Sequence, residues 1–302
     1  MKKNSIKNIV VILNYNSTSL TVKLVEDIHE YSNIYKILVV DNNSNLMNKE
    51  KLNILKSFSK VKILYVKENG GYAKGNNVAL RYIKKEYVDI DNVIIANPDV
   101  HFSEETLNYM VQFTISKNDE KIGMVSPIML LPNEKKEIKI TGFRLAEYID
   151  DLRLSSPTLT KFFGSPIRYK LESIDIERSY KKVDALPGSF FLMKFSAFSE
   201  IGFFDEYNFL YSEERTLGHK LKEKGYNSYN LLNCYFNHDH SQVIKNNVKK
   251  KISYFMLANS RINYQSKYNS INYVQKCLLL ITHRLGWYEV KIHDMFRRKK
   301  FE

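Results

Sequence analysis

Val93-Ile94-Ile95-Ala96-Asn97-Pro98-Asp99-Val100 decides how this sequence folds. Four apolar residues, three of them β-branched, run without a polar break into Asn-Pro-Asp. A continuous apolar run this short reads as a strand buried on both faces. Proline has no N–H for a sheet ladder, so the strand must stop at Pro98. Asp99 is then left at the carboxyl end of a central strand, where open α/β sheets bind their ligands. A carboxylate there suits a divalent cation that in turn holds phosphate oxygens. A turn aspartate that caps the next helix fits the same eight residues.

The chain before this stretch alternates strand and helix. Ile9-Val10-Val11-Ile12-Leu13 predicts a first strand and Ile37-Leu38-Val39-Val40 a second. Val61 to Val66 predicts a third. Leu20, Leu24, Ile28 and Tyr31 fall at helical spacing between the first two, and Leu52, Leu55 and Phe58 between the next two. Such alternation predicts βαβ units and an α/β fold with a mostly parallel central sheet flanked by helices. The strands end in polar clusters at Asn14, Asp41, Asn69 and Asp99. Four such endings on one sheet edge predict a polar cleft that suits a nucleotide.

Beyond residue 100 the pattern is less regular. Leu107, Met110 and Val111 predict a helix, and Ile122 to Val125 a strand. Residues 130–182 are polar and weakly periodic and read as long loops with short strands. Pro187-Gly188-Ser189 then turns into the buried strand Phe190-Phe191-Leu192-Met193. Tyr211-Ser212-Glu213-Glu214 opens a helix that ends at Gly225, and Ser228 to Phe236 forms a strand. From about residue 243 helical spacing takes over. The expected organisation is one domain over 1–242, with a nucleotide-binding half (1–100) and an acceptor and catalytic half (101–242), followed by a basic helical extension over 243–302.

Composition narrows the partners. The net charge of +13 over 302 residues calls for an anionic partner. No helix-turn-helix, zinc-finger or RNA-recognition signature accompanies it, which excludes nucleic acid. Two cysteines, Cys234 and Cys277, match no metal or redox spacing. The polar start predicts no signal peptide, and no run reaches the roughly 18 apolar residues of a membrane span. A cytoplasmic protein, peripheral at the inner face of the membrane, is expected. Trp287, Tyr288, Phe296 and Phe301 among Lys and Arg suit an anionic lipid surface. Helices packed on the main domain account for them equally well.

Three groups carry candidate chemistry. Glu213 and Glu214 can supply a general base, or can simply favour the dipole of a helix start. His238 and His240, at i and i+2, share a face of an extended segment and can join Asp99 around a cation. Gly70-Gly71-Tyr72-Ala73-Lys74-Gly75-Asn76-Asn77 lets backbone approach a ligand closely. It matches neither the dinucleotide-binding glycine spacing nor a P-loop.

In this order the pieces resemble the family 2 inverting glycosyltransferases of the GT-A fold. They come nearest to rhamnosyltransferase-like enzymes of capsule and O-antigen synthesis. The resemblance runs over residues 8–245 and rests on Val10 to Asn16, Val39 to Ser44, Asn69 to Asn77, Asn97-Pro98-Asp99, Gly188-Ser189, Gly202 to Glu206, Tyr211 to Glu214 and His238 to Ser241. It implies that Asn14 and Asp41 contact the nucleotide, Asp41 through a pyrimidine base. Asn16, Asn43, Gly70, Gly71, Lys74, Asn76 and Asn97 would line the rest of the donor site. Asp99 would bind Mg²⁺ or Mn²⁺, with His238 and His240 as later contacts. Glu214, or Glu213, would be the base, and Gly188, Ser189 and Asp205 would face the acceptor. The activity implied is transfer from dTDP-rhamnose or a UDP-hexose to a saccharide hydroxyl, the acceptor being linked to a lipid diphosphate. Thr216 and Lys220 replace an acid and an arginine common in relatives. These departures leave room for an inactive nucleotide-sugar-binding scaffold of a polysaccharide assembly.

Overall fold

The computed structural model describes residues 6–117, 121–239 and 249–298. The first half follows the alternation in the sequence. β1 (Asn8–Asn14), β2 (Lys36–Asp41), β3 (Val61–Tyr65) and β4 (Asn92–Ala96) are joined by α1 (Thr18–Ile28), α2 (Leu46–Lys51) with a 3₁₀ turn, and α3 (Gly71–Glu86). β1 pairs in parallel with β2 on one side and β4 on the other. The chain moves from β1 through β2 to β3 and then returns to the opposite flank of β1. The order reverses there, so the carboxyl ends of β1 and β4 open a crevice. β4 stops at Ala96, before Asn97 and Pro98.

The second half adds β5 (Val100–His101), α4 (Glu104–Ser116), β6 (Ile122–Leu130), β8 (Phe190–Lys194), α8 (Phe195–Glu200), α9 (Glu213–Glu223) and β9 (Asn227–His238). Among the described residues nine strands form one mixed sheet, ordered β3-β2-β1-β4-β8-β6-β9-β5, with β7 (Tyr180–Val183) also on β9. Side chains alternate across it. Val10, Ile12, Ile37, Val39 and Ile94 pack with α1 and α4 on one face. Ile9, Val11, Leu38, Val93 and Ile95 pack with α3, α8 and α9 on the other. Both faces are covered, which explains why the strands read as unbroken apolar runs.

Residues 130–182 depart from the expected loops and short strands. They contain three short helices besides β7: α5 (Tyr148–Leu154), α6 (Pro157–Phe163) and α7 (Ser173–Arg178). None exceeds seven residues, too few for an apolar stripe to repeat. Their starts are fixed locally instead. Asp150 and Asp175 reach back to the N–H groups of Glu147 and Glu172. Ser156 caps α6 with Pro157 at its first position.

The last two helices, α10 (Lys250–Tyr268) and α11 (Tyr273–Arg298), are packed on the rest of the chain. Gln265 Nε2 donates to Ala146 O and, at 2.7 Å, to Asp151. Ser156 Oγ donates to Glu289 on α11. No described helix is long and apolar enough to cross a membrane.

One buried ion cluster ties three of these helices together. Asp151 of α5, with no exposed side-chain surface, takes Arg215 Nη1 of α9 at 2.9 Å and has Arg261 Nε of α10 at 3.9 Å. Burial and the neighbouring Arg215 charge bring the Arg261 guanidinium down to about 10. Removing one member of a buried pair leaves an uncompensated charge, a cost of ~3–5 kcal/mol. Asp151→Ala is therefore expected to lower unfolding stability by that amount in denaturant titration. A loss below ~1 kcal/mol, the range of exposed pairs, would contradict this assignment.

Candidate active site

The site is built from the crevice outward. Beyond β4, Asn97 N–H donates to Ser189 O at 2.8 Å, which extends the β4–β8 ladder one step past the end of β4. The turn that follows sets Asp99 against β9. Val100 pairs with His238, and Asp239 N–H donates to Asp99 O at 3.0 Å. Asp99 is buried, and its Oδ1 lies 3.3 Å from His238 Nε2 while accepting no hydrogen bond. Two of the predicted cation ligands are thus adjacent. No cluster of three His, Cys, Asp or Glu suited to a metal exists among the described residues. Asp99 and His238 fit a cation of the Mg²⁺ or Mn²⁺ kind, which takes one or two protein donors and completes its shell with phosphate oxygens and water. His240 lies outside the described residues.

Asn14 and Asp41 form a closed unit behind the crevice. Asn14 Nδ2 donates to Asp41 Oδ1 at 3.0 Å and to Ser44 Oγ at 3.1 Å, and its Oδ1 accepts from Thr21 and Ser17. Asp41 Oδ2 accepts Ser44 N–H, and neither Asn14 nor Asp41 has exposed surface. Asn14 thus directs its amide into the protein, locking the ends of β1 and β2. Asn16 and Asn43 both take positive φ on the rim. Asn16 Oδ1 accepts Asn45 N–H, and Asn43 Oδ1 accepts Lys49 Nζ.

The glycine-rich stretch starts α3. Gly71 has φ +83° and a Cβ there would lie 2.0 Å from Phe209 O, so both conformation and space require glycine. Tyr72 N–H bonds Phe209 O, which fixes this stretch to the segment before α9. Gly75 lets α3 press on β1, since a Cβ would meet Leu13 at 2.5 Å. Asn76 Nδ2 donates to Tyr72 O, but the Oδ1 atoms of Asn76 and Asn42 are buried without hydrogen-bond partners. Lys74 pairs with Glu68 at the surface.

Gly188 connects this wall to the acidic pair. Tyr72 Oη donates to Gly188 O at 2.6 Å. The Gly188 backbone lies against the Glu214 side chain, and a Cβ on Gly188 would lie 3.0 Å from Glu214 Oε1. The next residue, Ser189, holds Asn97. Asp99, Asn97, Ser189, Gly188 and Glu214 are thus linked in series, through the chain and these contacts. Tyr72 is the residue that the sequence reading passed over, although it stands inside the glycine motif. Asp205 goes elsewhere. It bonds Lys267 and Tyr268 of α10, and against its burial these partners hold its carboxyl below the usual range. Thr216 and Lys220 bond backbone carbonyls, Glu213 O and Phe203 O.

The two glutamates differ in environment. Glu213 is buried, and its Oε1 has no hydrogen-bond partner. Burial first, and then the Glu214 charge, push it up to about 8. Glu214 keeps some exposure. Burial raises it too, against hydrogen bonds from its own and the Gly188 N–H and the Arg215 charge. Both carboxyls are thus raised by burial, and the two titrate as a pair. Their helix start is held open by two consecutive left-handed residues, Tyr211 (φ 73°) and Ser212 (φ 66°). Ser260 Oγ of α10 secures that turn by donating to Leu210 O at 2.6 Å.

Residues 9–214 match the family described as glycosyl transferase family 2. The span includes Asn14, Asp41, Asp99 and both glutamates, while His238 and the last two helices lie beyond it. The chain is 26% identical over 220 residues to the rhamnosyltransferase WbbL of Escherichia coli (strain K12), covering 72% of this chain and 77% of that protein. It is 26% identical over 223 residues to the low-salt glycan biosynthesis hexosyltransferase Agl10 of Haloferax volcanii, covering 72% and 62%. In fold it is similar to GalNAc-T7, solved with UDP, GalNAc and Mn²⁺, with a TM-score of 0.60 and 18% identity over 78% of this chain and 44% of that one. It is also similar to the mannosyltransferase PcManGT of Pyrobaculum calidifontis, solved with GDP-Man and Mn²⁺. There the TM-score is 0.57 and the identity 14%, over 92% and 69% of the two chains.

The raised Glu213 value sets a pH dependence of stability. The folded protein keeps this proton between the ordinary carboxylate range and about 8, whereas the unfolded chain loses it near 4.5. Glu213 therefore costs stability as pH rises through that window. Glu213→Gln is expected to melt several degrees above wild type at pH 8, with the gap closing toward pH 4.5. A gap that is constant with pH would contradict the assignment.

Proposed function

The chain belongs to glycosyl transferase family 2, and from that premise we propose that it transfers a rhamnosyl or other hexosyl group from a dTDP- or UDP-linked donor to a saccharide hydroxyl, with inversion. The observation that carries this reading is the Asn97–Ser189–Gly188–Glu214 contact path. It supports a candidate cation and diphosphate site that is linked through the backbone to the acidic pair. The rhamnosyl- and hexosyltransferase relatives support the class of sugar, and a saccharide of a cell-surface polysaccharide, carried on a lipid diphosphate, is the acceptor we infer.

Asp99 and His238 would hold Mg²⁺ or Mn²⁺, and the bound ion would offset the charge that develops on the leaving diphosphate. The positive end of the α3 dipole would favour an anionic donor at the start of that helix. The buried Asn42 and Asn76 amide oxygens can accept hydroxyl groups of the donor. Glu214 takes the proton of the acceptor hydroxyl. The acceptor oxygen attacks the anomeric carbon from the face opposite the diphosphate, and the bond from that carbon to the diphosphate oxygen breaks. One displacement inverts the configuration. Glu213, raised to about 8, limits the negative charge that the pair carries near neutral pH.

Glu214→Gln is expected to lower kcat by ~10²–10⁴-fold with donor affinity retained, the range for loss of a general base. Glu213→Gln is expected to remain active near neutral pH, because the Glu213 carboxyl, raised to about 8, is already neutral there and Gln keeps it so. Donor turnover by purified protein with Mn²⁺ checks both. Wild-type transfer rates in the Glu214 variant would overturn the base assignment. Donor binding without turnover across an acceptor panel would favour the scaffold reading.

A further inference from the structure

α11 has two unlike faces. Leu279, His283 and Gly286 are buried against the body, and a Cβ on Gly286 would lie 1.9 Å from Ser155 O. Trp287, grouped by sequence with Tyr288 and Phe296, packs its ring on Tyr254 and Phe255. Phe301 lies outside the described residues. On the outer side Leu278, Ile281, Leu285, Tyr288, Ile292 and Met295 follow one another at alternating steps of three and four, each 45–64% exposed. That spacing makes one straight apolar stripe. α6 packs alongside through Thr158 and His293, and adds Phe162 and Phe163, 76% and 73% exposed.

Charge accompanies the stripe. Residues 243–302 hold thirteen Lys and Arg against three Asp and Glu, so ten of the thirteen net positive charges fall in the last fifth of the chain. Arg284 and Lys291 are exposed and flank the stripe, while Glu289 bonds Thr158 and Asp294 pairs with Lys250. A second copy of the chain would satisfy the apolar side chains, but would bring two strongly cationic segments together. A nucleic acid would satisfy the charge and leave the stripe in water. An anionic bilayer takes both: apolar side chains at the acyl boundary and cations at the phosphates.

We propose that the outer face of α11, with Phe162 and Phe163 of α6, docks the protein on an anionic phospholipid surface, α11 lying in the plane of the interface. This goes beyond the transfer chemistry and does not rest on it. The test is flotation of the full chain with phosphatidylglycerol-containing vesicles and with pure phosphatidylcholine vesicles. Wild type should float with the anionic vesicles only, and less as salt rises. Ile281→Glu/Leu285→Glu and, separately, Arg284→Glu/Lys291→Glu should each weaken binding at least about tenfold at an unchanged melting temperature, since all four side chains are exposed. Absence of wild-type binding, or equal binding by the Ile281→Glu/Leu285→Glu variant, would overturn the proposal. So would a dimer in light scattering that the same variant dissolves, which would assign the face to a second copy.

Discussion

The hydrogen bond from Asn97 N–H to Ser189 O holds the two halves of this cleft in register. Pro98 ends the donor series of β4, so Asn97 contributes its last main-chain bond to β8 before the chain turns. Two residues after that bond stands Asp99, and one residue before its acceptor stands Gly188, whose backbone lies against the Glu214 side chain. A slip of one residue between β4 and β8 would reverse every side chain of β8 between the two packed faces. The core on both sides of the sheet therefore fixes the spacing of the chemical groups.

Burial gives these groups their chemistry and also a cost. The glutamate pair sits where burial disfavours negative charge, and both carboxyls are raised, Glu213 to about 8. Next to Glu214 in the chain, Arg215 is neutralised by Asp151, and Gln265 and Arg261 of α10 close the same cluster. With Ser260 on Leu210 O, α10 forms the back wall of the helix start that carries the pair. The basic extension thus supports the acidic pair through one helix and offers an exposed stripe through the other.

Much of this could be read from residue order. Strands buried on both faces leave a strong trace, and Pro98, Gly71 and the Glu213-Glu214 helix start were legible because backbone chemistry leaves few alternatives at such positions. The short helices between residues 147 and 178 were not, since their stability comes from caps and not from a repeating apolar face. Partner choice was least legible. Nothing local in Asn14 reveals that its amide turns inward onto Asp41 and Ser44, nor in Asp205 that Lys267 and Tyr268 will meet it. Asp151 belongs to no motif, and its role exists only once α5, α9 and α10 have packed.

The central claim is that one cleft holds both the diphosphate and the base. A crystal structure of the protein soaked with Mn²⁺ and uridine or thymidine diphosphate tests it most directly. The anomalous manganese peak is expected at Asp99 and His238, with the diphosphate at the start of α3 and the Glu214 carboxylate facing it across the same cavity. Manganese and diphosphate bound away from Asp99, or a Glu214 carboxylate that opens onto a different surface, would contradict the account.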